Sequence, residues 1–337
     1  MKATIFGLSG PTLTPDEIAF FREANPAGYI LFKRNTETRA QVRALTDSLR
    51  NLSGRDDLPI LIDQEGGRVQ RMSAPEWPRF PAGAAFAALY QKAPMSAIEA
   101  ARVNALAIAL SLAEVGVNVD CLPLLDVRQH GANDVIGDRA LGSEPMQVAA
   151  LGRAQLDGLR AGGVVGVVKH MPGHGRAMVD SHLELPRVSA SDAALETDLA
   201  PFKTLAGAPM GMTCHLVFEA WDAALPASMS PTIIQTIIRD RIGFDGFLMS
   251  DDLDMKSLSG TPGEKARAVV AAGCDAALDC WGRMDDMIEI ADKVGDMARE
   301  GEARLTRAMA TIANATPDLA AFDDLIAKRD SLLAYAV

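Results

Sequence analysis

Short uninterrupted apolar runs alternate along this chain with longer segments in which apolar residues return every third or fourth position. The runs cover residues 3–8, 29–32, 59–62, 117–125, 164–168, 211–214, 247–249 and 276–278. They lack the polar alternation of a strand with one wet face, so they fit strands buried on both sides. The segments between them, among them 39–52, 96–115, 145–161, 195–206 and 232–242, carry the period of helices packed by one face. Alternating strands and helices imply parallel pairing through helical crossovers. Eight such units in about 300 residues predict an α/β fold, a closed (β/α)8 TIM barrel rather than an open sheet. No linker rich in Pro, Gly and Ser, no low-complexity tract and no solenoid-length repeat interrupts the pattern, so residues 1–337 read as a single domain.

Polar residues accumulate at the downstream ends of the runs: Lys33-Arg34-Asn35, Asp63-Gln64-Glu65, Asp126, Lys169-His170, His215 and Ser250-Asp251-Asp252. In a barrel these ends converge on the C-terminal mouth, where active sites of this fold sit. A polar turn after a strand explains Asn35 or Asp126 singly, whereas charge at six ends points to one shared pocket. Residues 71–81, with Pro75, Pro78 and Pro81, read as an irregular loop over the mouth. Residues 129–141 form another, with Asp138 and Arg139 either paired to each other or directed at a ligand.

Composition narrows the partners. The chain is 48% hydrophobic and 23% charged, with a net charge of -11 that disfavours nucleic acid and anionic membrane surfaces. The opening MKATIFGLSG is too short for a signal peptide's apolar region, and no apolar stretch approaches the ~20 residues of a membrane helix. The four cysteines form no CxxC pair and lie in apolar runs, which fits a reducing cytoplasm. The expectation is a cytoplasmic monomer with no cofactor, acting on a small molecule.

Three of the five histidines fall in KHMPGHGRAMVDSH, residues 169–182. Pro172, Gly173 and Gly175 keep this segment from forming a helix and force a loop above the mouth. If Val179-Asp180-Ser181-His182 is extended, Asp180 and His182 share a side, and the carboxylate fixes the ring's tautomer and favours imidazolium. Such a pair donates a proton near neutral pH, or it simply ties the loop down. Of the adjacent Asp251 and Asp252, only one should enter the pocket, because side chains alternate along a strand; parity alone does not say which. A metal reading is weak: HExxH is absent, and the spacing of His170 and His174 spans Pro and Gly. Neither GxSxG, GxxxxGK[ST] nor GxGxxG occurs. What remains, an ionised carboxylate and a protonatable His–Asp pair, suits acid-assisted displacement at an acetal carbon, hence sugar cleavage. Asp63, Arg139, Lys169 and His170 are then the groups placed to grip ring hydroxyls.

The stretches GYILFKRN (28–35), IDQEGGRVQR (62–71), IGDR (136–139), KHMPGHG with DSH, MTCH (212–215) and SDDLDM (250–255) together make the chain resemble the single-domain bacterial β-N-acetylglucosaminidases of glycoside hydrolase family 3, the peptidoglycan-recycling type. The resemblance implies a retaining exo-hydrolysis of terminal β-linked N-acetylglucosamine from 1,6-anhydromuropeptides in the cytoplasm. It makes Asp251 the nucleophile and His182 the acid/base, oriented by Asp180 on a mobile loop, and it places Asp63, Arg139, Lys169 and His170 on the sugar. Arg176 and Trp281 depart from the family pattern, which has Asp and Asn there; Arg176 is read as a solvated loop charge, or else as a partner for a substrate carboxylate, and Trp281 as a pocket wall or a residue packed under a loop. A family 3 glycosidase for another sugar, a silent sugar-binding barrel and a divalent-metal hydrolase are the alternatives.

Overall fold

A computed structural model describes residues 1–129, 131–178, 185–255 and 258–336. Eight parallel strands close on themselves in chain order: β1 (Lys2–Gly7), β2 (Pro26–Leu31), β3 (Ile60–Ile62), β4 (Val119–Asp120), β5 (Val165–Met171), β6 (Met210–Thr213), β7 (Phe247–Asp252) and β8 (Ala276–Asp279). The ring is sealed where β8 pairs with β1, Ala277 beside Thr4 and Leu278 beside Ile5. The predicted (β/α)8 barrel is therefore the fold, with its strands at the expected runs.

Local chemistry sets the helices outside the barrel. The first, α1 (Pro15–Ala24), starts at a capping box: the Thr14 hydroxyl accepts the Glu17 N–H at 3.1 Å, and the Glu17 carboxylate accepts the Thr14 N–H at 2.9 Å. It stops at Asn25, whose φ of 45° leaves the helical region. The second, α2 (Arg39–Ser53), runs from an N-cap at Thr38 to a left-handed Gly54. Next come α3 (Gly83–Lys92), α4 (Pro94–Glu114), α5 (Pro145–Ala161) and α6 (Asp192–Thr204), then α7 (Pro262–Ala272), α8 (Met284–Lys293), α9 (Arg299–Ala310) and α10 (Phe322–Leu333).

Three expectations change. The fourth apolar run yields a strand of only Val119–Asp120, because Pro123 has no N–H to give the ladder. The carbonyls of Leu122 and Pro123 still accept from Val167 and Lys169, at 2.9 and 3.1 Å, so the chain keeps following β5. Ile233–Ile242 is π-helical rather than α-helical; an apolar spacing of three to four residues does not separate a 3.6-residue turn from a wider one. Finally, α4 is long and apolar enough to cross a membrane by length and composition, against the expectation of no such stretch. Its packing gives the reason: 67% of its most apolar window is buried inside the fold, where it lies against α3, α5 and α10 as a core helix.

Candidate active site

The mouth of the barrel opens into a cavity of about 680 Å3. Its wall includes Asp63 just after β3, Glu65 two residues on, Lys169 and His170 from β5, and Asp251 and Asp252 from β7. Four of the six polar strand ends, with Arg34 after β2 as the fourth, thus meet in one site, while Asp126 and His215 do not line it.

The floor is a charge cluster built around Lys169, whose side chain is 2% exposed. Its ammonium donates to Asp63 Oδ1 at 3.0 Å and reaches Glu65 Oε1 at 2.6 Å. Arg71 closes the other side of Asp63 at 2.9 Å, and Arg139 grips Glu65 through Nε and Nη2, both at 2.8 Å. Burial by itself raises a carboxyl pKa, but Lys169 and Arg71 outweigh it at Asp63, and Lys169 and Arg139 do so at Glu65. Both acids are held below the ordinary carboxylate range. Burial likewise pulls Lys169 down, and the two carboxylates more than reverse it, so the ammonium stays charged. Among the described residues, Lys169 gives one hydrogen bond, to Asp63, and pairs ionically with Glu65, and each Asp63 oxygen keeps accepting capacity for a ligand.

Beside this floor, Asp126 fixes the His170 loop. Its Oδ2 lies 2.7 Å from His170 Nδ1, while Oδ1 accepts the backbone N–H of His170 at 3.2 Å and of His174 at 2.6 Å. Burial of Asp126 is outweighed by the two histidines, and its carboxyl is held at about 2. An ionised carboxylate only accepts, so Nδ1 of His170 carries the proton. His174 lines the same cavity, its ring 5.7 Å from that of His170; burial and the His170 neighbour lower its pKa to about 4, which keeps it neutral. At Gly175 a Cβ would lie 1.9 Å from the Val127 carbonyl oxygen, so this position needs glycine for close approach of the two backbones.

The paired acids at the end of β7 have different environments. Asp251 Oδ1 accepts the Asp252 N–H at 2.9 Å; burial raises its carboxyl, yet His170, that backbone N–H and Lys169 pull it below the ordinary value. Asp252 Oδ1 accepts the N–H groups of Asp254 and Cys280 at 3.2 and 3.3 Å, and burial pushes that carboxyl up to about 6. Asp251 is the more readily ionised of the two, and Asp252 clamps the loop after β8 to β7. His215 donates from Nε2 to the Asp252 carbonyl at 3.0 Å, its Nδ1 lies 2.6 Å from the Ser228 hydroxyl, and burial lowers its pKa.

Comparison with known proteins settles the lineage. The glycosyl hydrolase family 3 N-terminal domain matches residues 15–315. This chain belongs to that family. It is 41% identical over 281 residues to a β-hexosaminidase of Alkalilimnicola ehrlichii, covering 82% of this chain and 80% of that protein. A β-hexosaminidase of Aromatoleum aromaticum is 35% identical over 304 residues, covering 88% and 84%. Among solved structures, NagZ from Neisseria gonorrhoeae in complex with N-trifluoroacetyl-D-glucosamine superposes with a TM-score of 0.87 at 31% identity, over 100% of this chain and 98% of that one.

Within this family 3 barrel, Asp63, Arg139, Lys169, His170 and Asp251 all line one cavity. Asp180 and His182 lie outside the described residues. Arg139 and Asp138 do not pair with each other: Arg139 goes to Glu65, and Asp138 meets Arg68 at 2.9 Å. Arg176 is not a solvated charge. It reaches Asp198 on α6 at 2.6 Å and the Ala194 carbonyl at 2.9 Å, tying the His170–His174 loop to that helix. Trp281 lines the cavity at the end of β8, one of the two positions anticipated for it. Glu65, Asp126 and His215 stand in the sequence only as polar residues near strand ends, and Arg71 only as the first residue of the 71–81 loop. Glu65 carries one signal: it lies two residues from Asp63, beside a cluster rich in cations. Among the described residues, no group of three or more His, Cys, Asp or Glu is arranged to hold a metal ion.

Proposed function

We propose that this family 3 β-N-acetylhexosaminidase removes terminal β-linked N-acetylglucosamine from 1,6-anhydromuropeptides by a retaining, two-step displacement. The observation that carries the reading is Asp251, a carboxylate held ionised by His170, the Asp252 N–H and Lys169 and lining one cavity with the polar floor of Asp63 and Lys169. The floor orients the ring through its remaining donor and acceptor sites, together with His170 and Arg139. In the first step the imidazolium of His182, oriented by Asp180, gives its proton to the glycosidic oxygen. The C1–O bond breaks as Asp251 forms a bond to C1. In the second step neutral His182 takes a proton from water, the water oxygen bonds C1, and Asp251 leaves as the carboxylate.

The chain's net charge of -11 supports a small carbohydrate substrate rather than nucleic acid or membrane, and its four free, buried cysteines support a reducing cytoplasm. Incubation with a 5-fluoro N-acetylglucosaminyl fluoride, followed by peptide mapping, tests the mechanism. Label on Asp251 is the expected result; label elsewhere, or an inverted anomer of the released sugar by NMR, rejects it. Preference for an aryl β-glucoside over the aryl β-N-acetylglucosaminide rejects the sugar assignment.

A further inference from the structure

The cavity changes character from floor to rim. Lys169 and Glu65 are buried and charged at the floor, whereas at the end of β8 the wall is Trp281, 50% exposed, with the apolar Met255 and Phe32 also lining the cavity. The other two tryptophans are occupied structurally: Trp77 is buried in the core, and Trp221 donates its N–H to Asp192 at 2.6 Å.

The backbone and ring of Trp281 are held from three directions. The Arg283 guanidinium lies 5.7 Å from its ring centroid, and that cation is itself paired with Asp254 and Asp286. The carbonyl of the preceding Cys280 accepts from Arg34 at 2.5 Å. The following Gly282 has φ +66°, and a Cβ there would lie 2.6 Å from the Leu8 carbonyl carbon, so the chain sits flush against Leu8 and Ser9. A large aromatic fixed at a cavity rim offers a rigid apolar face at little entropic cost.

β8 pairs directly with β7, the strand that carries Asp251 next to its end. A sugar ring seated on the charged floor with its anomeric carbon at Asp251 must direct its leaving group outward, past the rim. We propose that Trp281 is the platform for that leaving group: its indole stacks on the C–H face of the second sugar ring and makes the enzyme prefer a carbohydrate aglycone over a small one. The assignment rests on the hydrolysis proposed above.

The test compares two donors that share the transferred sugar. One is N-acetylglucosaminyl-β-1,4-1,6-anhydro-N-acetylmuramic acid; the other is β-N-acetylglucosaminyl fluoride, whose leaving group has no surface to stack. For Trp281→Ala the ratio of kcat/KM for disaccharide over fluoride falls roughly tenfold, the size of an aromatic contact. Trp281→Phe, which keeps an aromatic face, retains most of the wild-type ratio. An unchanged ratio in Trp281→Ala, whether both rates fall together or neither does, overturns the platform while the hydrolysis stands. Absence of wild-type turnover on either donor overturns the hydrolysis and the platform with it.

Discussion

Replacing Lys169 with Met tests the floor of the site directly. Methionine keeps the length and apolar volume of the stem, so the change removes charge without opening a large cavity. Two contacts are lost, to Asp63 at 3.0 Å and to Glu65 at 2.6 Å. Neither acid is stranded, because Arg71 still holds Asp63 and Arg139 still holds Glu65. One buried charge-assisted hydrogen bond at ~1.5–3 kcal/mol, with a buried ion pair whose acid keeps another partner, places the loss at roughly 2–4 kcal/mol. The pH dependence has a definite sign. Asp63 and Glu65 are depressed in the fold, so their stabilisation is present above the ordinary carboxylate range and fades as pH falls through it. Lys169 is raised, so its share is complete below its ordinary value of 10.5 and is lost on the alkaline side. The deficit of Lys169→Met is therefore largest near neutrality and shrinks in acid. Urea unfolding followed by circular dichroism at pH 7 and pH 4 measures it, with Glu65→Gln and the double variant completing a cycle that isolates the coupling. A neutral-pH loss under about 1 kcal/mol, the value of an exposed pair, refutes the buried cluster.

Two further outcomes follow from the His170–His174 loop. Burial of Asp198 outweighs its pairing with Arg176 and pushes the carboxyl up to about 6, so its ionisation penalises folding above that pH and not below the ordinary value of 3.8. Arg176→Met enlarges the penalty: thermal melts should show a greater loss at pH 8 than at pH 5, about 1–3 kcal/mol at the higher pH, and equal losses refute the account. Gly175→Ala forces a Cβ against the Val127 carbonyl and displaces the loop, costing about 1–3 kcal/mol or more together with most of the turnover of an aryl β-N-acetylglucosaminide. A variant that melts and turns over like wild type refutes the close-approach argument.

The sequence by itself determined the barrel and its mouth. Eight apolar runs gave the strands because burial on both faces writes a continuous local signal, and charged residues at their ends marked the site because parallel strands all finish on one side. That logic brought Asp63, Lys169, His170 and Asp251 together without any distance being known. Only the tertiary structure decided who pairs with whom. Lys169 meets acids more than a hundred residues earlier, Arg139 turns to Glu65 rather than to its neighbour Asp138, and Arg176 finds Asp198 on the next helix. It also separated Asp251 from Asp252, since the second acid is occupied by two backbone N–H groups, one of them from β8's loop. Hydrophobic period is a property of adjacent residues and survives in the linear text; the partner of a charge, or the carbonyl that forbids a Cβ at Gly175, is set by strand register around a closed ring and exists only once the ring has formed.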